Sequence, residues 1–305
     1  MKRRNFLQKS SLAATCLISG YGIIQGKPIL NDVPEDGFVN LIKGNTLQGW
    51  HTSSRIPAPL YPGGPQPDKS KVGYKRALTS KGKWTIENGI ITGGQDKEGL
   101  GSYLVTDEKY DDFELLIDAN PDWPIDTGIL LRARPEGSPG YQVLVDHRKS
   151  GGIGGFYGNG LAGFHALPYN FDAHYDANGN PIGLVREIPS TTIEQVTDAK
   201  IKLLAYSAPV EEFLETWKWG TWNTFKIRCE GKHPYLTTWI NGVKICELDT
   251  ARIVHPNYDK EDIADFLGQK GHISLEVHDN DPGMGKDRWK PGAVSRWRNI
   301  SLKKL

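Results

Sequence analysis

Beyond residue 27, apolar and polar residues alternate along much of the chain, and helical periodicity is scarce. The alternation predicts strands at 84–91, 103–105, 113–118, 128–134, 141–147, 222–229, 236–240, 243–248, 271–278 and 295–303. Asn88-Gly89 falls inside the run 84–91 and Asn241-Gly242 between the runs 236–240 and 243–248, and Asn-Gly supplies the two positive-φ residues that a type I′ hairpin turn demands. Helical signals are confined to 191–197 and 259–267, the second with Asp259 placed to cap it. Many strands, tight turns and few helices predict an all-β sandwich.

Two stretches interrupt the pattern. Residues 53–76 are rich in Pro, Gly and Lys, and residues 148–220 in Gly, aromatics and charge. Loops of this length are uncommon in compact domains unless they are functional, so both are expected to wall or cover a binding site on one domain spanning 27–305. Tyr157 and His165, inside the second stretch, are candidate substrate contacts.

Period-2 reasoning then assigns faces. Phe113, Leu115 and Ile117 point to the core and leave Glu114 and Asp118 on the other side; Ile129, Leu131 and Ala133 do the same for Arg132 and Arg134. Val143 and Val145 turn Gln142, Leu144 and Asp146 outward, and Ile273, Leu275 and Val277 turn out His272, Ser274, Glu276 and His278. The expectation is one polar sheet face carrying Asp118, Arg132, Arg134, Gln142, Asp146, Glu276 and His278. Carboxylates, guanidinium groups and a histidine side by side make a candidate active site. Any solvated sheet also alternates in this way, with cross-strand ion pairs worth fractions of a kcal/mol.

Composition narrows the class. The 305 residues are 38% hydrophobic and 24% charged, with a formal net charge of +1, so disorder and a polytopic membrane protein are excluded. No surplus of Lys and Arg suggests a nucleic-acid partner. With 35 Gly, 19 Pro and 9 Trp, the chain suits a turn-rich β protein. Residues 1–26 combine a basic start, Lys2-Arg3-Arg4, with a short apolar run, which predicts an export signal close to the twin-arginine pattern and a periplasmic or extracellular product. Its removal takes away Lys2, Arg3, Arg4 and Lys9 and leaves a charge of about −3. Of three cysteines only Cys229 and Cys246 then remain, either as buried thiols or as a disulfide across one hairpin.

Short motifs mostly fail their context. Gly158-Asn159-Gly160-Leu161-Ala162-Gly163 matches G-x-G-x-x-G, but Pro168 follows too soon for the helix that a dinucleotide site needs. There is no H-E-x-x-H, no paired C-x-x-C and no G-x-S-x-G. Glu276-Val277-His278-Asp279-Asn280-Asp281 could hold a divalent cation, or could simply be a strand running into an Asp/Asn turn. Glu247-Leu248-Asp249 starts the E-x-D-x-x-E arrangement of sandwich glycosidases, but Arg252 stands where the second Glu belongs.

An ordered set of segments resembles the 3-keto-disaccharide hydrolase family. It runs from 38–50 through Trp84-Thr85-Ile86-Glu87-Asn88-Gly89, Tyr110-Asp111-Asp112-Phe113-Glu114, Thr127-Gly128-Ile129-Leu130-Leu131-Arg132 and Gly140-Tyr141-Gln142-Val143-Leu144-Val145-Asp146 to Gly271-His272-Ile273, His278 and Arg298-Asn299-Ile300. The resemblance implies a concanavalin-like jelly roll of two antiparallel sheets and activity on glycosides oxidised at C3. A 3-keto group acidifies the C2 proton, so a base can remove it while the C1 oxygen leaves, and water can add afterwards. The resemblance makes Glu276, Asp146 and His278 candidates for proton transfer, and Arg132 or a bound cation the candidate for the enolate. Gln142, Arg134, Asp118, Tyr157 and His165 would contact substrate. The family commonly has Glu and Gln where Gln142 and Leu144 stand, and Gln where Glu276 stands. Either a carboxylate has moved to the neighbouring strand, or the catalysis has changed. A different class, a non-catalytic carbohydrate-binding module, would use exposed Trp and Tyr of the two insertions as stacking platforms.

Overall fold

The computed structural model describes residues 37–57, 59–281 and 283–305. The export segment expected at 1–26, with Cys16, lies outside the described residues.

In chain order the strands are β1 (Val39–Asn40), β2 (Trp50–Ser54), β3 (Lys83–Glu87), β4 (Ile90–Gly94), β5 (Ser102–Thr106), β6 (Phe113–Pro121), β7 (Gly128–Ala133), β8 (Gly140–Val145) and β9 (Ile153–Asn159). They continue with β10 (His165–Ala166), β11 (Phe171–Tyr175), β12 (Pro181–Arg186), β13 (Tyr206–Ser207), β14 (Asn223–Glu230), β15 (Tyr235–Ile240), β16 (Val243–Asp249), β17 (His272–Val277) and β18 (Val294–Lys304). The helices are short: α1 (Val72–Ala77), α2 (Asp198–Lys202), α3 (Val210–Thr216) and α4 (Lys260–Leu267).

Two large antiparallel sheets form the sandwich that the alternation predicts. One has the order β13-β16-β15-β14-β6-β18-β4-β3, with β1 added beside β18; the other runs β10-β9-β8-β7-β17-β5-β2. Both Asn-Gly steps turn hairpins, β3–β4 and β15–β16, with positive φ at Asn88, Gly89, Asn241 and Gly242. Phe113, Leu115, Ile117, Phe225 and Ile227 of the first sheet meet Leu104, Ile129, Val143 and Leu275 of the second in one buried cluster. Each such side chain contributes about 1.5–3 kcal/mol by leaving water.

The seven-stranded sheet presents its other face to the site, and a bulge in β7 alters what stands there. His272 pairs with Ala133 and Ser274 with Leu130, so Leu131 and Arg132 together oppose Ile273, and Arg132 has φ 52°. The extra residue reverses the alternation from that point. Leu130 and Ala133 therefore share one cluster with Tyr103 and Val105, while Leu131 stays in the core. The expectation that Ala133 faces the core and Arg132 faces outward is corrected by this register shift.

The stretch 148–220 contributes two strands, β9 and β10, to the site sheet, and carries the separate hairpin β11–β12. The helix expected at 191–197 does not form. Ile193 N–H donates to Ser150 Oγ at 2.7 Å instead of to a carbonyl one turn earlier, and the short helix α2 begins only after Thr197, which caps it. The helix expected at 259–267 is α4, with Asp259 accepting from Glu261 N and Asp262 N. Cys229 and Cys246 are buried free thiols in the core, and burial pushes the Cys229 thiol up to about 11.

Candidate active site

The site is a cavity of about 210 Å³, lined by Arg55, Asp126, Gln142, Leu144, Asp146, Arg148, Tyr157, His165, Glu194, His278 and Arg288.

Its floor comes from the strand register. Gln142 on β8 pairs with Tyr157 on β9 and with Leu130 on β7, while Leu130 pairs with Ser274 of β17, so the Gln142 side chain reaches Glu276 diagonally, across Gly128. Gln142 Nε2 donates to Glu276 Oε2 at 2.6 Å, and its Oε1 accepts from Asn159 Nδ2 at 3.4 Å. Gly128 permits this approach, because a Cβ there would lie 2.4 Å from Gln142 Nε2. Glu276 is 0% exposed and does not itself line the cavity. Its Oε1 accepts from Arg55 Nε at 2.7 Å, so it holds the arginine that does.

Arg55 follows directly on β2 and spends its remaining donors on the end of β17. It pairs with the Asp279 carboxylate through Nη1, and its Nη2 stands 2.7 Å from His278 Nε2. A guanidinium only donates, so His278 Nε2 presents a lone pair, and Nδ1 carries the proton that Asp279 O accepts at 2.6 Å. Arg288 Nη1 is a second donor, 3.4 Å from the same nitrogen.

Beyond Arg288 the lining holds two aspartates, Asp126 and Asp146, and a third arginine, Arg148. Asp126 Oδ2 accepts from Arg148 Nε at 2.9 Å and from Arg288 Nη1 at 2.6 Å. Burial opposes its ionisation, but the nearby His278, followed by the Arg148 and Arg288 guanidinium groups, outweighs it and holds the carboxyl well below the usual range. Asp146 is its counterpart. Burial, and then the neighbouring Asp126 carboxylate, push Asp146 well above the usual range, and its Oδ1 is buried without a partner. Two neighbouring carboxyls driven in opposite directions make Asp146 the one that holds a proton more readily and Asp126 the one that ionises more readily.

Glu194 closes the wall from the long insertion, accepting from Arg148 Nη2 at 2.7 Å and from Arg288 Nη2 at 3.2 Å. Tyr157 and His165 stack with ring centroids 4.4 Å apart, and burial pushes the His165 imidazole down to about 4.

The structure thus brings Asp146, Gln142, Tyr157, His165 and His278 to one cavity, with Glu276 behind it. It places the other three candidates elsewhere. Arg132, 2% exposed, is turned by the bulge toward Asp112 Oδ1 at 2.9 Å and Gly231 O at 3.3 Å. Arg134 lies over the Phe266 ring and donates to Phe266 O at 3.4 Å. Asp118 belongs to β6 in the other sheet, where it accepts from Thr224 Oγ1, Arg298 Nε and Asn299 Nδ2. Arg55, Asp126, Arg148, Glu194 and Arg288 lie outside the predicted polar sheet face. Among the described residues, no group of three or more His, Cys, Asp or Glu is arranged to hold a metal ion. The carboxylates of the 276–281 stretch are answered by guanidinium groups, Arg55 at Glu276 and Asp279 and Arg288 at Asp281, a donor set that does not fit a divalent cation.

The model of the 3-keto-alpha-glucoside-1,2-lyase-like domain matches residues 37–303, and that span contains every residue of the cavity. The chain belongs to this family. No curated protein matches it in sequence. Among solved structures it is similar to two proteins assigned as glycosyl hydrolases from Parabacteroides distasonis ATCC 8503. One is 16% identical, covering 73% of this chain and 90% of that one with a TM-score of 0.41; the other is 13% identical, covering 88% and 94% with a TM-score of 0.44. The carbohydrate-binding module CBM66 from Bacillus subtilis is 12% identical over 73% of this chain and 92% of its own, with a TM-score of 0.40. Three arginines, Arg55, Arg148 and Arg288, line the cavity, and Arg132 does not.

Proposed function

We propose that this lyase-like domain cleaves 3-keto-glycosides by removing the C2 proton and expelling the C1 oxygen, with water adding to the product in a following step. The observation that carries the reading is the partnerless Oδ1 of Asp146, a buried carboxyl whose hold on a proton is strengthened by burial and by Asp126, in a cavity lined by guanidinium groups. The reaction needs a base, an acid and a stabiliser of negative charge, and the cavity offers a group for each.

In this reading the 3-keto oxygen accepts from Arg55 and Arg288, the two guanidinium groups that face His278 Nε2. Their turning toward the substrate frees the Nε2 lone pair, which takes the C2 proton as the enolate forms on the C3 oxygen. The enolate electrons then form the C1–C2 double bond, the C1–O bond breaks, and Asp146 delivers its proton to the departing oxygen. Atoms and charge balance: one proton moves to His278 and one leaves Asp146. Glu276 acts through Arg55 and Gln142 as a positioning residue.

A cluster of titratable groups gathered in one cavity favours the enzyme over a purely binding module, which needs only an aromatic platform. The deciding experiment incubates the protein with a 3-keto-α-glucoside and its unoxidised parent and follows aglycone release. Faster release from the keto form is expected; equal rates would refute the reading. The proposal includes export to the periplasm or beyond, resting on the twin-arginine-like residues 1–26. Exchange of Arg3 and Arg4 for Lys is expected to leave the protein in the cytoplasm.

A further inference from the structure

A second depression, of about 460 Å³, has a lining that shares no residue with the reaction cavity. The alternation at the end of β8 separates the two: Asp146 and Arg148 line the cavity, while His147 between them lines the depression. Its platform is Trp123 and Trp219, both half-buried, with ring centroids 5.6 Å apart and planes tilted by 48°. The His147 ring braces both, at 5.2 Å from Trp123 and 4.7 Å from Trp219.

Around the indoles stand hydrogen-bonding groups in fixed positions. Arg296 Nη1 donates to Asp122 Oδ1 at 2.7 Å, so a guanidinium donor and a carboxylate acceptor lie side by side on the rim. Lys290 is exposed there, and among the described residues its ammonium makes no ion pair or hydrogen bond. A neighbouring depression of about 670 Å³ shares Trp123, Pro181, Lys290 and Pro291 with the first and adds Tyr175 and Lys286. The two adjoin along that shared wall.

Stacking surfaces rimmed by a paired donor and acceptor match a ligand with apolar ring faces and hydroxyls at the ring edge. Two adjoining depressions offer more length than one ring needs. We propose that Trp123 and Trp219 form a second saccharide site, distinct from the reaction cavity, that takes a neutral oligosaccharide with one ring on the indoles and its hydroxyls on Lys290, Arg296 and Asp122. The site holds a glycan chain independently of the chemistry next to it.

The test is isothermal titration, with tryptophan fluorescence in parallel, of the full chain against unoxidised tetrasaccharides of glucose, xylose, mannose and galactose. Binding of at least one is expected, weakened about tenfold or more by Trp219→Ala and by Trp123→Ala, and less by Trp219→Phe, which keeps a stacking ring. Circular dichroism confirms that the variants fold. Asp146→Asn is expected to leave this binding unchanged, which separates the site from the proposed reaction. Binding by none of the four, or binding insensitive to both tryptophans, overturns the proposal. Loss of binding in Asp146→Asn with both tryptophans intact overturns it as well, since the sugar would then occupy the reaction cavity.

Discussion

Arg55 Nε meets Glu276 Oε1 at 2.7 Å across 221 positions of sequence, joining the first insertion to β17 of the site sheet. Glu276 is fully buried, so its carboxylate is tolerable only because Arg55 and Gln142 satisfy both oxygens. Glu276→Ala leaves the guanidinium facing an apolar gap, and chemical denaturation is expected to show a loss of about 3–5 kcal/mol. Glu276→Gln retains the fold more nearly but loosens Arg55, so turnover of a 3-keto-α-glucoside should fall while the denaturation midpoint moves less.

Asp146→Asn separates stability from activity. The amide has the same shape and cannot give up a proton, so turnover should drop by about 10²–10⁴. The wild-type carboxyl binds its proton more tightly folded than unfolded, so its stabilising contribution is complete below the ordinary carboxylate range and is lost as pH rises toward its raised folded value. Asp126 has the opposite sign, stabilising above the ordinary range and losing that contribution as pH falls. Thermal melts across pH should therefore show Asp146→Asn flattening the alkaline limb and leaving the acid limb in place.

Activity should follow the same proton. With Asp146 as the acid, kcat is expected to decline as pH rises through its raised value. A leaving group that needs no protonation, such as a nitrophenolate, should lose this dependence. A pH profile identical for both leaving groups would assign the acid to another residue.

Arg288 contacts Asp126, Glu194 and Asp281 from a single side chain. Arg288→Lys keeps the charge but cannot reach three partners, since an ammonium lacks the planar fork. A fall in turnover of about 10²–10³ is expected from loss of enolate stabilisation, measured alongside melting temperature to separate chemistry from folding.

Arg132→Ala tests the corrected assignment. The residue lies against Asp112 and the core, so melting temperature should fall, while kcat of the remaining folded protein stays within about twofold of wild type.

The alternating pattern by itself determined the two-sheet sandwich, both Asn-Gly hairpins, the Asp259-capped helix, and the outward turn of Gln142 and Glu276. Period 2 states which side chains leave the core, because successive residues of a strand point in opposite directions. It does not state which sheet a strand joins, so Asp118 shared a parity with the site while lying on the other sheet. Nor does it register an inserted residue, and one bulge was enough to carry Arg132 from the expected face to the Asp112 side. Arg55, Asp126, Arg148, Glu194 and Arg288 stand outside the regular strands, where no periodicity applies. Only the closure of the chain on itself brought them together, because buried carboxylates require cationic partners and those partners came from loops far apart in sequence.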